Sequence, residues 1–260
     1  MHHSYVDRYS QQHSLVHRLD ARVKLLAVLA YSVVLVSFDR HALAAMAPMA
    51  VLPPAMLWLG NVPVTFALRR AAMLCPFILM LALSAAWFDR TPYELVLGPW
   101  TFAPPGGWIT AGNVLIKFTL GILAITALIC TTPFTLLLES MRRLGMPKLL
   151  VMTLAFLYRY VFVLIDEGLR VRRARDFRGA GRAALRHRLA GVGGAIGSLL
   201  GRTMDRSQRV HTAMLARGYD GTPRSLDRLR LRPADGIFVA MVVVYLVLCR
   251  WNLFVNSLTG

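Results

Sequence analysis

Residues 110–132 read TAGNVLIKFTLGILAITALICTT, a run carrying one charge, Lys117. As an α-helix it extends about 35 Å at 1.5 Å per residue, enough to cross a hydrocarbon core of about 30 Å. A helix apolar on all sides is either the core helix of a large protein or a membrane span, and the rest of the chain decides between them. Comparable blocks occupy residues 23–38, 42–60 and 71–88 before it, and 236–254 after it. The chain is 56% hydrophobic and 17% charged, where soluble domains carry about 25% charged residues. The reading is an all-α polytopic membrane protein of about five transmembrane helices, with a cytoplasmic helical domain inserted before the last span.

Four regions follow: a cytoplasmic N-terminal tail at 1–22, a four-span membrane region at 23–132, cytoplasmic helices at 133–235, and a final transmembrane helix at 236–260. The first apolar block follows a polar tail of about 22 residues with no small-residue cleavage site, so it is expected to stay in the protein. Arg8, Arg18, Arg22 and Lys24 place the N-terminus in the cytoplasm, and Arg69-Arg70 mark the next cytoplasmic turn. Localisation in the cell inner membrane follows. Lys117 and Arg250 are expected to snorkel to the interface. Loop 89–109, rich in Pro and Gly, reads as a short hairpin or irregular cap. Pro48, Pro53, Pro54 and Pro76 interrupt the second and third blocks, so their freed carbonyls need neighbouring groups as partners.

The net charge of +17 is concentrated. Between Thr132 and Asp235 there are 20 Lys or Arg against 8 Asp or Glu. The block at 149–165 is apolar enough for a marginal span, but Arg159 sits near its middle. If it crossed, the 16 arginines between Arg170 and Arg232 would lie outside, against the positive-inside rule. It is therefore kept as a helix at the cytoplasmic surface.

Within this segment, Phe134, Leu137, Leu138, Met141 and Leu144 share one face of a short helix that Gly145 and Pro147 end. A second helix runs from Lys148 to about Phe177. After a linker at 178–182 and a glycine patch at 191–197, a third runs from about Ile196 to Arg217, with Ile196, Leu200, Met204, Val210 and Met214 in a stripe and Gly218 as its stop. Both long helices close on an alanine-arginine pair, Ala174-Arg175-Asp176 and Ala216-Arg217-Gly218. A small residue before the arginine admits a close surface, and the guanidinium forks onto carboxylates or carbonyls there. The plainer alternatives are that these arginines complement the helix dipole or rest on anionic membrane lipid.

The run from His17 to Leu25 (HRLDARVKL), Arg143-Leu144-Gly145-Met146-Pro147 leading to Tyr158-Arg159-Tyr160, and the two alanine-arginine ends together resemble the CbiQ and EcfT family, the transmembrane components of energy-coupling-factor importers. The resemblance covers nearly the whole chain. It implies that the helix ends insert into grooves on two ABC ATPase subunits (CbiO-like), with Arg175 and Arg217 as coupling residues. It also implies a substrate-binding membrane component (CbiM-like) and a small accessory membrane subunit (CbiN-like). ATP and magnesium then belong to the partner ATPase, and this chain is a non-catalytic subunit that binds no cofactor. Asp176 stands where the family pattern has glycine, and Arg178-Gly179 is close by. Chain length and opening motif are most similar to the cobalt branch, with nickel second and vitamins third.

No Gly-rich loop leads into Lys-Ser or Lys-Thr, so ATP binding by this chain is not expected. No triad, HExxH or inward carboxylate pair supports catalysis. His2, His3, His13 and His17 lie in the polar tail without carboxylates at ligand spacing and read as a solvated arm. Met46, Met49, Met56, Met73 and Met80 read as apolar packing, and Cys75, Cys130 and Cys249, lacking ligand spacing, as inert thiols. Two other classes remain: a membrane enzyme holding phospholipid head groups with arginines, and a membrane-anchored nucleic-acid binder with steep salt dependence. The family reading expects no nucleic acid.

Overall fold

The computed structural model describes residues 14, 16–39, 44–88, 95–97, 100–102, 106–177, 185–221 and 232–259. The elements are α1 (Ala21–Val36), a 3-10 helix (Ala44–Ala50), α2 (Leu52–Leu59), α3 (Val64–Phe88), β1 (Leu95–Leu97), β2 (Trp100–Phe102), α4 (Gly106–Thr131), α5 (Phe134–Arg143), α6 (Lys148–Phe177), α7 (Leu185–Ala216) and α8 (Pro233–Thr259). Two compact units result, Met1–Ser140 with Asp227–Gly260, and Met141–Leu226. The all-α polytopic class holds, and the two strands form a small antiparallel hairpin, Leu95 opposite Phe102, in the loop read as a hairpin or irregular cap.

In the first unit α4 is central, packed against α1, α2 and α3. Leu120, Leu123, Ala124, Ala127 and Cys130 are buried along it, the spacing of one helical face. Gly60, after α2, sits against its C-terminal end, where a Cβ would come within 2.9 Å of Thr131 Cγ2.

Charge complements α1 at both ends. Asp20 is its N-cap and accepts from the Arg22 N–H at 2.9 Å. The Asp20 N–H in turn donates to Asp235 Oδ1 at 2.8 Å. Asp235, in the first turn of α8, also accepts from the Arg232 N–H at 2.7 Å, the backward reach of a capping box, with Pro233 opening the helix. At the far end of α1, Lys117 donates to Phe38 O at 2.6 Å and Val36 O at 3.4 Å. Arg250 donates to Ser37 O at 3.3 Å and its Oγ at 3.1 Å. Both cations, expected to snorkel, also satisfy carbonyls that a helix C-terminus leaves open. Lys24 reciprocates from α1, donating to Thr131 O at the end of α4 at 2.8 Å.

Among the described residues four helices are long and apolar enough to cross a membrane: Val64–Trp87, Gly107–Thr131, Lys148–Phe177 and Pro233–Trp251. They differ from the five spans read from the sequence in three ways. The second block is not one helix, because Pro48 and the Pro53-Pro54 pair break it into the 3-10 turn and α2. Its carbonyls find partners: Tyr31 Oη donates to Met49 O at 2.9 Å, and Tyr245 Oη donates to Pro48 O. The first block forms a helix of 16 residues, somewhat short of the ~20 a full crossing needs. The block at 149–165, kept out of the bilayer on charge, belongs to a helix that meets the length and composition of a span.

The turn placed at Arg69-Arg70 also moves. The chain turns at Gly60–Pro63, where Asn61 adopts φ 53°. Both arginines lie inside α3, Arg70 with its guanidinium 4.9 Å from the Phe66 ring.

The second unit contains α6 and α7, which pack together. Glu167 on α6 pairs with Arg202 on α7 at 2.7 Å and with Arg170 at 3.9 Å. Aromatic contacts line α6, Phe156 with Tyr160 at 6.2 Å and Tyr158 edge-on to Phe162 at 5.1 Å. The third helix starts earlier than its stripe indicated, because the glycine patch 191–197 is helical rather than a break.

Candidate coupling site

The two alanine-arginine ends are built differently. Ala216 closes α7, and Arg217 and Gly218 follow it with Gly218 at φ 75°. The Gly218 N–H donates to Leu215 O at 2.9 Å, and the Tyr219 N–H donates to Met214 O at 3.1 Å. This pair of bonds is a Schellman cap, which needs a left-handed residue where glycine stands. Tyr219 Oη lies 2.6 Å from Met152 Sδ on α6. The cap and the tyrosine anchor fix the direction in which the helix ends. Ala216, Arg217 and Gly218 are exposed, and among the described residues Arg217 makes no ion pair. A shallow concavity beside them is lined by Asp205, Gln208, Arg209, Thr212, Ala213 and Ala216.

At the other end, Ala174, Arg175 and Asp176 occupy the last turn of α6. Ala174 and Asp176 are exposed, while Arg175 is half-buried. The Arg175 guanidinium lies over Gly191 of α7, where a Cβ would meet Nη2 at 2.6 Å and Cζ at 3.3 Å. Any side chain there would displace it. Arg178-Gly179, the nearby variant of the first motif, and the linker 178–182 lie outside the described residues.

Gly145 ends α5 with the same cap as Gly218: φ 104°, its N–H donating to Arg142 O at 3.2 Å and the Met146 N–H to Met141 O at 3.0 Å. Of the apolar face read for this helix, Leu138 is buried, the other apolar residues are only partly covered, and Leu144 is 45% exposed.

Sequence reasoning missed Gly191, the Glu167–Arg202 pair and the role of Lys24. Glycine in a basic stretch reads as a break until a facing helix is known. Lys24 did carry a signal, a lone lysine one turn inside an apolar block that opens on Asp20. Among the described residues no group of three or more His, Cys, Asp or Glu is placed to hold a metal ion. His2, His3 and His13 lie outside them; His17 Nδ1 is 2.8 Å from Ser14 Oγ.

Three relatives bear on this arrangement. Cobalt transport protein CbiQ of Rhodobacter capsulatus is 30% identical over 142 residues, 55% of this chain and 57% of that protein. The energy-coupling factor transporter transmembrane protein EcfT of Leuconostoc gelidum is 25% identical over 271 residues, covering 95% of this chain and 97% of its own. Nickel permease LarQ of Lactiplantibacillus plantarum is 26% identical over 200 residues, 69% and 70% of the two chains. The sequence pattern described as CbiQ, cobalt transport protein, matches residues 12–227. With that match spanning both helix ends and the motif that opens α1, the chain belongs to the CbiQ family of cobalt transport proteins.

Proposed function

We propose that this protein is the transmembrane coupling subunit of an energy-coupling-factor importer. It transmits ATP hydrolysis on two ABC ATPase subunits to a separate substrate-binding membrane component. The observation that carries this reading is Arg217, exposed at a helix end whose exit is fixed by a glycine cap and a tyrosine anchor. The backbone that carries this arginine is already ordered, so docking costs the rotamer freedom of the side chain but not that of the helix end. Arg175 is the second contact, and it must leave Gly191 to reach a partner.

In this reading ATP-driven closure of the ATPases moves the two ends together, and the motion reorients the substrate-binding component through the membrane helices. ATP and magnesium are held by the partner ATPases, and this chain carries no catalytic residue. The N-terminus and the basic segment lie in the cytoplasm on the positive-inside rule. Cobalt is the substrate favoured by the family match, with nickel second because of the similarity to LarQ; the metal passes through the partner.

The test is detergent co-purification with CbiO-like ATPase subunits, together with their ATP hydrolysis. The parent chain is compared with Arg217→Glu, Arg175→Glu and the double variant. The expected outcome is a loss of ATPase recovery of about tenfold or more in Arg217→Glu, from charge reversal at a docked guanidinium, and a smaller loss in Arg175→Glu. Full assembly and turnover in a folded double variant would overturn the coupling role.

A further inference from the structure

Between α6 and α7, within the second unit, lies a half-open pocket of about 150 Å³ that the coupling reading does not use. Val163 and Leu164 of α6 and Leu199 of α7 give it apolar walls, and Tyr160 contributes a phenol. Arg202, Arg206 and Arg209 line the remaining side. Their spacing of four and then three residues places them on one face of α7.

The three guanidiniums are not equivalent. Arg202 is already paired with Glu167 at 2.7 Å. Arg206 and Arg209 make no ion pair among the described residues, although Asp205 adjoins the first and precedes the second by one turn. Among the described residues, Glu167 is the only carboxylate lining the pocket. Two unneutralised forks and a phenol therefore face one small space beside hydrocarbon.

We infer that this pocket binds the phosphate of an anionic phospholipid head group. Guanidinium forks match phosphate oxygens in a bidentate manner, and a phenolic hydroxyl supplies a further donor. The apolar walls favour a phosphate that carries a glycerol backbone over the bare ion, since inorganic phosphate leaves them facing water. The volume suits one head group and is too small for a peptide segment bearing acidic side chains. The pocket contains neither Arg175 nor Arg217, although Arg209 also borders the concavity beside the Arg217 end, and the binding test below is run without ATPase subunits.

The experiment uses the full chain in phosphatidylcholine nanodiscs, titrated with short-chain phosphatidylglycerol and, separately, with inorganic phosphate, with binding read by native mass spectrometry. Saturable binding of phosphatidylglycerol is expected. It should weaken by about tenfold or more in Arg206→Gln/Arg209→Gln, which removes two charge-assisted contacts, and by a few-fold in Tyr160→Phe. Arg172→Gln/Arg173→Gln removes the same charge from exposed positions on α6 and is expected to change affinity less than about twofold. Several results would sink the inference: no saturable binding, equal losses in the two arginine pairs, or binding indifferent to Arg206 and Arg209. Inorganic phosphate bound as tightly as the lipid would make this a free-phosphate site instead, and displacement by an acidic peptide would make it a protein-docking surface.

Discussion

Lys24 and Arg202 each reach from one helix to the next, at 2.8 Å and 2.7 Å, yet Lys24 is 1% exposed and the Arg202 side chain is 66% exposed. The first unit uses charge inside its packing. Lys24, Asp20 and Asp235, all buried, meet helix ends whose open carbonyls and N–H groups would otherwise be stranded in an apolar setting, where nothing replaces a lost partner. The second unit uses charge at its surface, where water competes for both members of every pair. A frame that must hold its shape in a bilayer suits the first arrangement. A helix pair that shifts on a partner, as in the proposed function, would suit the second, because its cross-link is cheap to break.

The contrast is tested most severely at Lys24. Replacing it with methionine keeps the length and the packing but removes the donor to Thr131 O, leaving a buried carbonyl unpaired and Asp20 and Asp235 without the nearby cation that acts on both. Removing one partner from such a site costs roughly 3 kcal/mol. The apparent Tm of the detergent-solubilised chain should fall by about 10 °C. A change of under about 2 °C, on the same scale, would mean that the buried clamp is no more structural than a surface pair.

A smaller effect separates two glycines of the second unit. Gly218→Ala meets no atom but forces an L-residue to φ 75°, a backbone penalty of about 1 kcal/mol. It should redirect Arg217 and lower stimulated ATP hydrolysis by a few-fold at an unchanged expression level. At Gly191 the backbone is helical and alanine is the better helix former by about 1 kcal/mol, but its methyl takes the space of the Arg175 guanidinium. Gly191→Ala should therefore hold or raise Tm while freeing Arg175, so recovery of ATPase subunits should rise slightly. If both substitutions lowered assembly equally, the two ends would not differ in the way described.

How far the sequence disclosed this follows from the range of each interaction. The all-α class, the hairpin loop and the glycine stop at Gly218 are local matters of apolar length, turn residues and φ, and all were legible. The failure at 42–60 came from weighing apolar content above Pro48, Pro53 and Pro54, although proline removes the very donors that a continuous helix needs. Lys117 and Arg250 read as snorkelling cations, and their bonds to the carbonyls that end α1 depend on a neighbouring helix that only tertiary structure brings near. Gly191 was invisible for the same reason, since its function is to be absent where Arg175 passes. The arginine ends were found as a pattern, but their asymmetry lies in which one meets a facing helix.

The smallest expected effect is at Glu167. Its side chain is 22% exposed and joins Arg202 to Arg170, so Glu167→Gln removes the charge from the α6–α7 cross-link while keeping its size. Pairs of this kind contribute about 0–1 kcal/mol, and the apparent Tm should move by no more than about 3 °C. Dynamics should respond more than stability, because the pair sits at the surface of the two helices and spans both. With spin labels at Ala174 and Ala216, both exposed, the variant should show a broader distance distribution than the parent chain. ATPase subunits and nucleotide should then narrow it again. A broad distribution in the parent chain itself would mean that the ion pair never set the spacing. A fall in Tm as large as that of Lys24→Met would erase the difference between a frame held by buried charge and a lever held by exposed charge.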